Sequence, residues 1–448
     1  MTTLWPHQQA ASDWLDRYPY ALLDAGMGTG KSLITIQQIR RHVERRVLII
    51  CPVAVMGVWR GQFEEHAPGE FDSLILDGSQ NCSEKGFMVT RKLSTCAIHK
   101  QRVVVVVNYE SMIRKGLFEV LFNQQWDMIS CDESHKIKGQ GTAASKRAFE
   151  IGTRATRRIG LTGTPMPRSP GDIFGQYRFL DVSIFGRYWT NFKKQYAVMN
   201  QYIPQKVDKW IDQEDMIERV NRIRYRITRD VLTLPEVMHQ TIYAPLSAQG
   251  MKHYREMVKE SIVGIREHLI TAANGAVQFL RLLQFAQGYA KTTDGTEIFI
   301  DSAKRQVLLE LLENVDEPVC VYGWFHHDLK VVRDCCELLG RSYGEISGAR
   351  KDLTETGTMP EGIDVMGVQC KSGGSGISLV RSRIGIVLNS GCLSPGDYDQ
   401  MMARQHRPGQ MHPVMFYHVV APATVDVTVL KARQENRDVV DAILEAIQ

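Results

Sequence analysis

The chain has 448 residues, more than one ordinary core holds, and its 44% hydrophobic and 23% charged content is that of a globular protein of two or more domains. A net charge of +4, from 54 basic and 50 acidic residues, neither demands nor excludes nucleic acid, so clustering of the basic side chains has to decide. Nine scattered cysteines without a C-x-x-C pair argue against a disulfide framework or a zinc ribbon. No stretch nears the roughly 18 apolar residues of a membrane helix, and "MTTLWPHQQAASDWLDR" lacks an apolar signal core. The expected compartment is a reducing cytoplasm, in a bacterial or phage-infected cell.

In chain order, the apolar run Tyr20–Leu23 leads into "DAGMGTGKS" (24–32) and then the helical pattern of Leu33, Ile36, Ile39 and Val43. "VLIICP" (47–52), "VVVVVNY" (103–109), "DMISCDE" (127–133) and "RRIGLTGTP" (157–165) read as short buried strands. From about 170 to 300 helical patterns dominate, as in "EDMIERVNRIRYRITRDVL" and "SAQGMKHYREMVKESIVGIREHL". Strand-like runs return with "VCVYGW" (319–324), "IDVMGVQC" (363–370), "IGIVLNS" (384–390) and "VMFYHVV" (414–420). The rhythm predicts two α/β lobes with parallel sheets and a helical insertion between them.

A strand, a glycine-rich turn and a helix N-terminus make an anion site, because inward N–H groups and the helix dipole favour negative charge. Residues 25–32 follow G-x-x-x-x-G-K-[ST] except that Ala25 replaces the first glycine. Gly28 and Gly30, flanking Thr29, let the backbone approach phosphate. Lys31 is expected to reach the β and γ phosphates and Ser32 to offer its hydroxyl to Mg²⁺. The plainer alternative is a turn that only caps a helix. "WDMISCDESHKIKG" sets Asp132 and Glu133 at a strand end, where open parallel sheets carry ligands. Asp132 is the expected Mg²⁺ holder and Glu133 the group that orients or deprotonates water, against an acidic pair that merely favours the next helix. Thr162 and Thr164 of "LTGTP" (161–165) suit coupling to a moving lobe; a plain turn is equally physical.

"KSGGSGISL" (371–379), with Lys371, Ser372 and Gly376, suits a backbone-lined loop on phosphate or ribose. "DQMMARQHRPGQ" carries Arg404 and Arg407, three apart and on one face if helical. An arginine brought from outside the phosphate loop is worth roughly 10³ to 10⁵ in phosphoryl-transfer rate; a solvated pair is the alternative. "TRATRR" (153–158), with Arg157 and Arg158, and the run Arg219, Arg222, Arg224, Arg226 and Arg229 are basic clusters that suit phosphate backbone, although the second also fits a solvated helix. Trp189, Phe192 and Tyr196 recur at helical spacing, which favours core packing over base stacking.

In order, these motifs resemble those of the superfamily-two helicases, specifically the Snf-type DNA-dependent ATPases. "LWPHQ" is similar to the N-terminal motif whose Gln, here Gln8, reads adenine. "GMGTGKS" resembles motif I, "IICPVAV" (with Pro52, and Trp59 beyond) Ia, and "VVVVVNYESM" (with Tyr109) Ib. "DESH" resembles II, "LTGTP" III, "VYGWF" IV, "SGGSGISL" V and "QMMARQHRPGQ" VI. The last is the most specific, matching Q-x-x-x-R-x-H-R-x-G-Q from Gln400 to Gln410, while "DESH" differs from the D-E-A-D of RNA helicases. Tyr398 replaces an acidic residue common in the family, and "LSP" (393–395) replaces Trp-Asn-Pro.

The resemblance implies an α/β fold of two RecA-like lobes. Residues 1–235 would form the first, with a helical protrusion from about 170, and 236–448 the second, with a protrusion at about 246–290. It implies ATP and Mg²⁺, with Lys31 and Ser32 on phosphate and metal, Asp132 on the metal, Glu133 as base, and Arg404 with Arg407 as finger residues. Gln8, Gly28, Thr29, Gly30, Gly376 and Gln400 would complete the ATP site; Pro52, Tyr109, Arg157, Arg158, Lys371 and Ser372 are candidate DNA contacts. The expected activity is a monomeric, DNA-dependent ATPase motor, helicase or double-strand translocase, on duplex or branched DNA with little sequence preference. An RNA helicase and a non-enzymatic ATP-gated DNA-binding switch are the alternatives. With no bromodomain-like, finger or nuclease segment appended, the chain resembles minimal bacterial or phage members.

Overall fold

The β-branched runs become strands because segments buried on both faces of a parallel sheet are apolar at every position. The computed structural model of the chain describes residues 3–76, 81–139, 141–167, 169–203, 206–267, 272–291, 296–372, 377–391, 394–435 and 439. It divides into two units, Met1–Thr233 and Leu234–Gln448. The first contains β1 (Tyr20–Ala25), β2 (Arg46–Cys51), β3 (Asp72–Ile75), β4 (Val103–Asn108), β5 (Trp126–Asp132), β6 (Ala155–Thr162), β7 (Ala197–Met199), β8 (Val207–Trp210) and β9 (Arg224–Ile227). Seven of these form one sheet in the order β3-β4-β2-β5-β6-β1-β9, with every pairing parallel. Parallel neighbours need crossovers, so helices cover both faces. Leu48, Ile50, Val105 and Val107 fill the core on one side, and Val47, Ile49, Val104 and Val106 that on the other.

Strand β9 corrects the second half of "EDMIERVNRIRYRITRDVL", read as a helical pattern. The helix Gln213–Asn221 stops, and Arg224–Ile227 joins β1 in parallel at the sheet edge. Buried Asp24 on β1 accepts from Arg224 Nε at 2.9 Å, so a tertiary partner overrides the local pattern. The same contact spends Arg224 on fold. Arg219 and Arg222 are paired with Asp215 and Glu218 on their own helix, at 2.9 and 3.5 Å. Helices Ile173–Leu180 and Trp189–Tyr196 also belong to this unit. Phe192 and Tyr196 are buried and Trp189 stacks on Phe192 at 5.2 Å, the core packing that their spacing favours.

The second unit holds β10 (Val237–Tyr243), β11 (Tyr289–Lys291), β12 (Glu297–Phe299), β13 (Val319–Gly323), β14 (Tyr343–Ile346), β15 (Val365–Gln369), β16 (Ile384–Val387) and β17 (Val414–Val420). Its main sheet runs β10-β17-β16-β13-β15-β14, again all parallel. Helices Ala248–Glu267 and Ala272–Ala286 and the antiparallel β11–β12 hairpin precede most of that sheet in the chain. A buried ion pair, Lys304 to Asp426 at 2.6 Å, ties the helix Ala303–Glu313 to the start of Val425–Gln434. The architecture is α/β, two RecA-like parallel-sheet lobes. Among the described residues no helix is long and apolar enough to cross a membrane.

Candidate nucleotide site

Strand β1 ends at Ala25, and the chain turns through Gly26–Gly30 into α1 (Lys31–Arg41). Gly28 and Gly30 have φ of +80° and +90°, the left-handed region that side chains disfavour. Ala25 is a buried strand residue outside that region, which explains why its methyl group is tolerated where the pattern asks for glycine. Its carbonyl accepts from Lys31 Nζ at 2.8 Å, and Thr29 Oγ1 closes the turn on the Gly26 carbonyl at 2.8 Å. Gln8 braces the loop from the helix Pro6–Leu15. Its Nε2 donates to the Thr29 carbonyl at 3.2 Å and its Oε1 accepts from Trp5 N–H at 2.9 Å, so both ends of the amide are engaged within the lobe.

A Cβ on Gly30 would fall 2.2 Å from Gln8 Nε2. Gly30→Ala therefore combines a disfavoured φ with the loss of the brace, and is expected to cost about 1–3 kcal/mol of stability. Thermal unfolding and nucleotide titration of the same sample check it; an unchanged midpoint with normal nucleotide affinity would refute it.

The acidic pair stands at the C-terminal end of β5. Asp132 Oδ2 accepts from Trp59 Nε1 at 3.0 Å and Oδ1 from the Glu133 N–H at 2.9 Å, while Tyr109 Oη donates to the Asp132 carbonyl at 2.8 Å. Burial first, and the charge of Glu133 second, push the Asp132 carboxyl up from its ordinary range, against the pull of Lys31, Trp59 and the Glu133 N–H. Glu133 is buried with φ +52°, its Oε2 3.3 Å from His135 Nδ1. That ring nitrogen lies 3.4 Å from Thr162 Oγ1 at the end of β6. Ser134 Oγ donates to Gln176 Oε1 at 2.8 Å, and Gln176 Nε2 donates to the Pro165 carbonyl at 2.6 Å. "DESH" and "LTGTP" are thus joined twice.

This arrangement suits a Mg²⁺–triphosphate. The positive-φ glycines leave a side-chain-free cradle, Lys31 supplies a cation, and a buried carboxylate held up in pKa is one that a divalent cation would stabilise. Among the described residues no three or more His, Cys, Asp or Glu side chains converge as a metal cage. Mg²⁺ does not need one, since it keeps waters and phosphate oxygens beside one or two protein ligands. Ser32, half-buried in the first turn of α1, and Asp132 fit that donor set.

In the second unit, Arg404 and Arg407 lie beyond the helix Pro395–Met402, in the turn that follows it, so they share no helical face. Arg404 is 4% exposed, and its burial pushes the guanidinium pKa down. Arg407 is half-buried, with Nη1 donating to the Ile377 carbonyl at 3.0 Å. His406 Nε2 lies 2.8 Å from the Pro235 carbonyl near the unit's first residue. Gln400 is half-buried on that helix, and Gly376 lies outside the described residues. Lys371 Nζ sits 4.3 Å over the Trp324 ring and Ser372 Oγ donates to Gln369 Oε1 at 2.7 Å, both near the C-terminal ends of β13 and β15. Pro52 is half-buried just past β2.

Three candidate DNA contacts are corrected. Tyr109 is buried as a strut under Asp132. Arg157 is buried, donating to Gln38 Oε1 at 2.9 Å and the Leu15 carbonyl at 3.2 Å. Arg158 donates to the Phe179 carbonyl at 3.0 Å and lies 3.8 Å over the Tyr20 ring. Each is spent inside the lobe. Trp59, noted in sequence only as following motif Ia, proves to be a direct partner of Asp132 from 73 positions away, a contact with no local signal.

Comparison with known proteins adds a relationship. A family described as SNF2-related domain matches residues 7–291. The chain is 22% identical over 467 residues to the DNA repair and recombination protein RDH54 of Saccharomyces cerevisiae (strain YJM789), covering 92% of this chain and 50% of that protein. It is 24% identical over 485 residues to the ISWI chromatin-remodeling complex ATPase ISW1 of the same species, covering 97% and 40%. It is 26% identical over 461 residues to the putative protein p41 of Acyrthosiphon pisum secondary endosymbiont phage 1, covering 95% and 94%. The chain spans about half the length of the yeast repair relatives. A solved structure described as the Sulfolobus solfataricus SWI2/SNF2 ATPase core in complex with dsDNA is 19% identical with a TM-score of 0.45, covering 97% of this chain and 91% of that one.

Proposed function

Since the chain belongs to the SNF2-related domain family, we propose that it is an ATP-hydrolysing motor that moves on or remodels duplex or branched DNA. The observation that carries the reading is the convergence of Lys31 and the Asp132–Glu133 pair at the C-terminal ends of β1 and β5, close enough for the lysine's charge to act on the Asp132 carboxyl. In this reading Lys31 and the loop N–H groups hold the β and γ phosphates, and Ser32 and Asp132 hold Mg²⁺. The metal supplies charge neutralisation across the phosphates. Glu133 takes the proton of the attacking water, with His135 relaying its position to Thr162. Arg404 and Arg407 supply the cation from outside the loop, and Gln8 joins the adenine side by exchanging one of its two hydrogen bonds. Pro52, Lys371 and Ser372 remain the DNA-facing candidates. Relatives named for DNA repair, recombination and chromatin remodelling support DNA as the track, and the phage relative supports the cytoplasm of a bacterial or phage-infected cell.

The test is ATP turnover with no nucleic acid, with duplex DNA, with a DNA fork and with RNA. DNA is expected to stimulate turnover well beyond RNA. Equal turnover in all four conditions would sink the motor reading, and stimulation by RNA alone would replace it with an RNA helicase.

A further inference from the structure

The hairpin of β7 and β8 stands outside the main sheet and takes no part in the nucleotide site. Its base is fixed. The Trp210 ring lies 6.3 Å from both Trp189 and Phe192, Ile211 N–H donates to the Tyr196 carbonyl at 2.9 Å, and a Cβ on Gly171 would meet Trp210 at 2.4 Å. Its outer part is held by Asn200, whose Oδ1 accepts from the N–H groups of Tyr202 and Ile203 at 2.9 and 2.7 Å while its Nδ2 donates to Asp208 at 2.9 Å. On this frame Tyr202 is 90% exposed, with Ile203 at 54% and Val198 at 47%. Lys206 and Lys209 are exposed on the return strand and just before it, and five basic residues against two acidic ones lie between Arg187 and Asp212.

An aromatic ring exposed on a turn that Asn200 braces, with exposed lysines at 206 and 209 in the same hairpin, fits few ligands. Protein interface cores are depleted in lysine, which argues against an apolar protein surface as the occupant. A nucleic acid fits both features: lysines meet the phosphate backbone, and an exposed ring stacks on a base whose identity it does not need to read. Inside a duplex both faces of each base are already stacked, so the ring can only meet an unpaired base or a duplex end. We propose that Tyr202, with Lys206 and Lys209, forms a stacking site for the first unpaired nucleotide at a junction between duplex and single-stranded DNA. This rests on DNA being the track, and adds preference for a junction and a contact to its first unpaired base.

The experiment uses the full chain with a forked duplex carrying 2-aminopurine as its first unpaired base, and a blunt duplex of the same sequence. Tyr202→Ala is expected to abolish the fluorescence change and to lower fork affinity relative to blunt affinity about ten-fold, with Tyr202→Trp restoring both. The double change Lys206→Ala with Lys209→Ala should reduce the salt slope of fork binding by roughly 0.7 per lysine. An unchanged fork-to-blunt ratio in Tyr202→Ala overturns the site: equal weakening on both substrates moves the contact to a duplex end, and no weakening on either leaves the surface to a protein partner. The fluorescence readout needs no turnover. A wild type that stacks the base but shows no DNA-stimulated ATPase would therefore keep this site and sink the motor reading.

Discussion

Glu133→Gln is expected to lower ATP turnover by about 10²- to 10⁴-fold, the usual worth of a positioned base, with the protein still folded and still binding nucleotide. The amide keeps the shape of the buried side chain and can still hydrogen-bond His135, but it cannot accept the proton of water. A second effect separates this variant from a simple loss of structure. The charge of Glu133 is the second cause, after burial, that raises the Asp132 carboxyl, so neutralising it lets Asp132 ionise more readily. A metal-holding carboxylate must be ionised, hence wild-type Mg²⁺–nucleotide affinity should fall as pH drops through the raised range of Asp132. In Glu133→Gln that fall should begin at lower pH. Phosphate release and fluorescent-nucleotide titration across pH measure the two arms. Turnover within about ten-fold of wild type would remove Glu133 from the role of base.

The fold was legible where a strand is buried on both faces. Val103–Val107 shows no polar residue because neighbours flank it in the sheet and helices cover it. Edge strands carried no such signal. In β9, "RYRI", Arg224 and Arg226 alternate with Tyr225 and Ile227, and what makes it a strand is Asp24, 200 positions earlier. Strand β10, "VMHQTIY", sits at the other unit's edge with most residues partly or fully exposed, so its pattern is too weak to call from sequence.

The site divides in the same way. The phosphate loop and "DESH" are local patterns whose geometry follows from the backbone, the conformational freedom at Gly28 and Gly30 included. Basic clusters misled because sequence counts charges without seeing their partners. In "TRATRR" all three arginines are committed within the fold, Arg154 over the Phe122 ring at 4.3 Å and the other two to carbonyls, an amide and a ring. A polar strand residue on a covered face is indistinguishable, in sequence, from one facing solvent.

The arginines after Pro395–Met402 should differ in kind when each is removed. Arg407→Ala is expected to reduce turnover by roughly 10³ to 10⁵, as loss of a finger does, with a smaller change in unfolding temperature than at Arg404, because the Arg407 side chain is only half-buried. Arg404→Ala should lower both turnover and stability, the latter by about 1–3 kcal/mol, since it empties a buried position beside Tyr322, Cys320 and Cys370. Lysine at 407 keeps the charge without the planar fork, so it should recover only a small part of the rate. Steady-state turnover and thermal unfolding on the three variants decide the assignment. If Arg407→Ala keeps turnover within ten-fold while Arg404→Ala loses it with no drop in unfolding temperature, the transition-state cation is Arg404, and Arg407 serves only to hold the loop at Ile377.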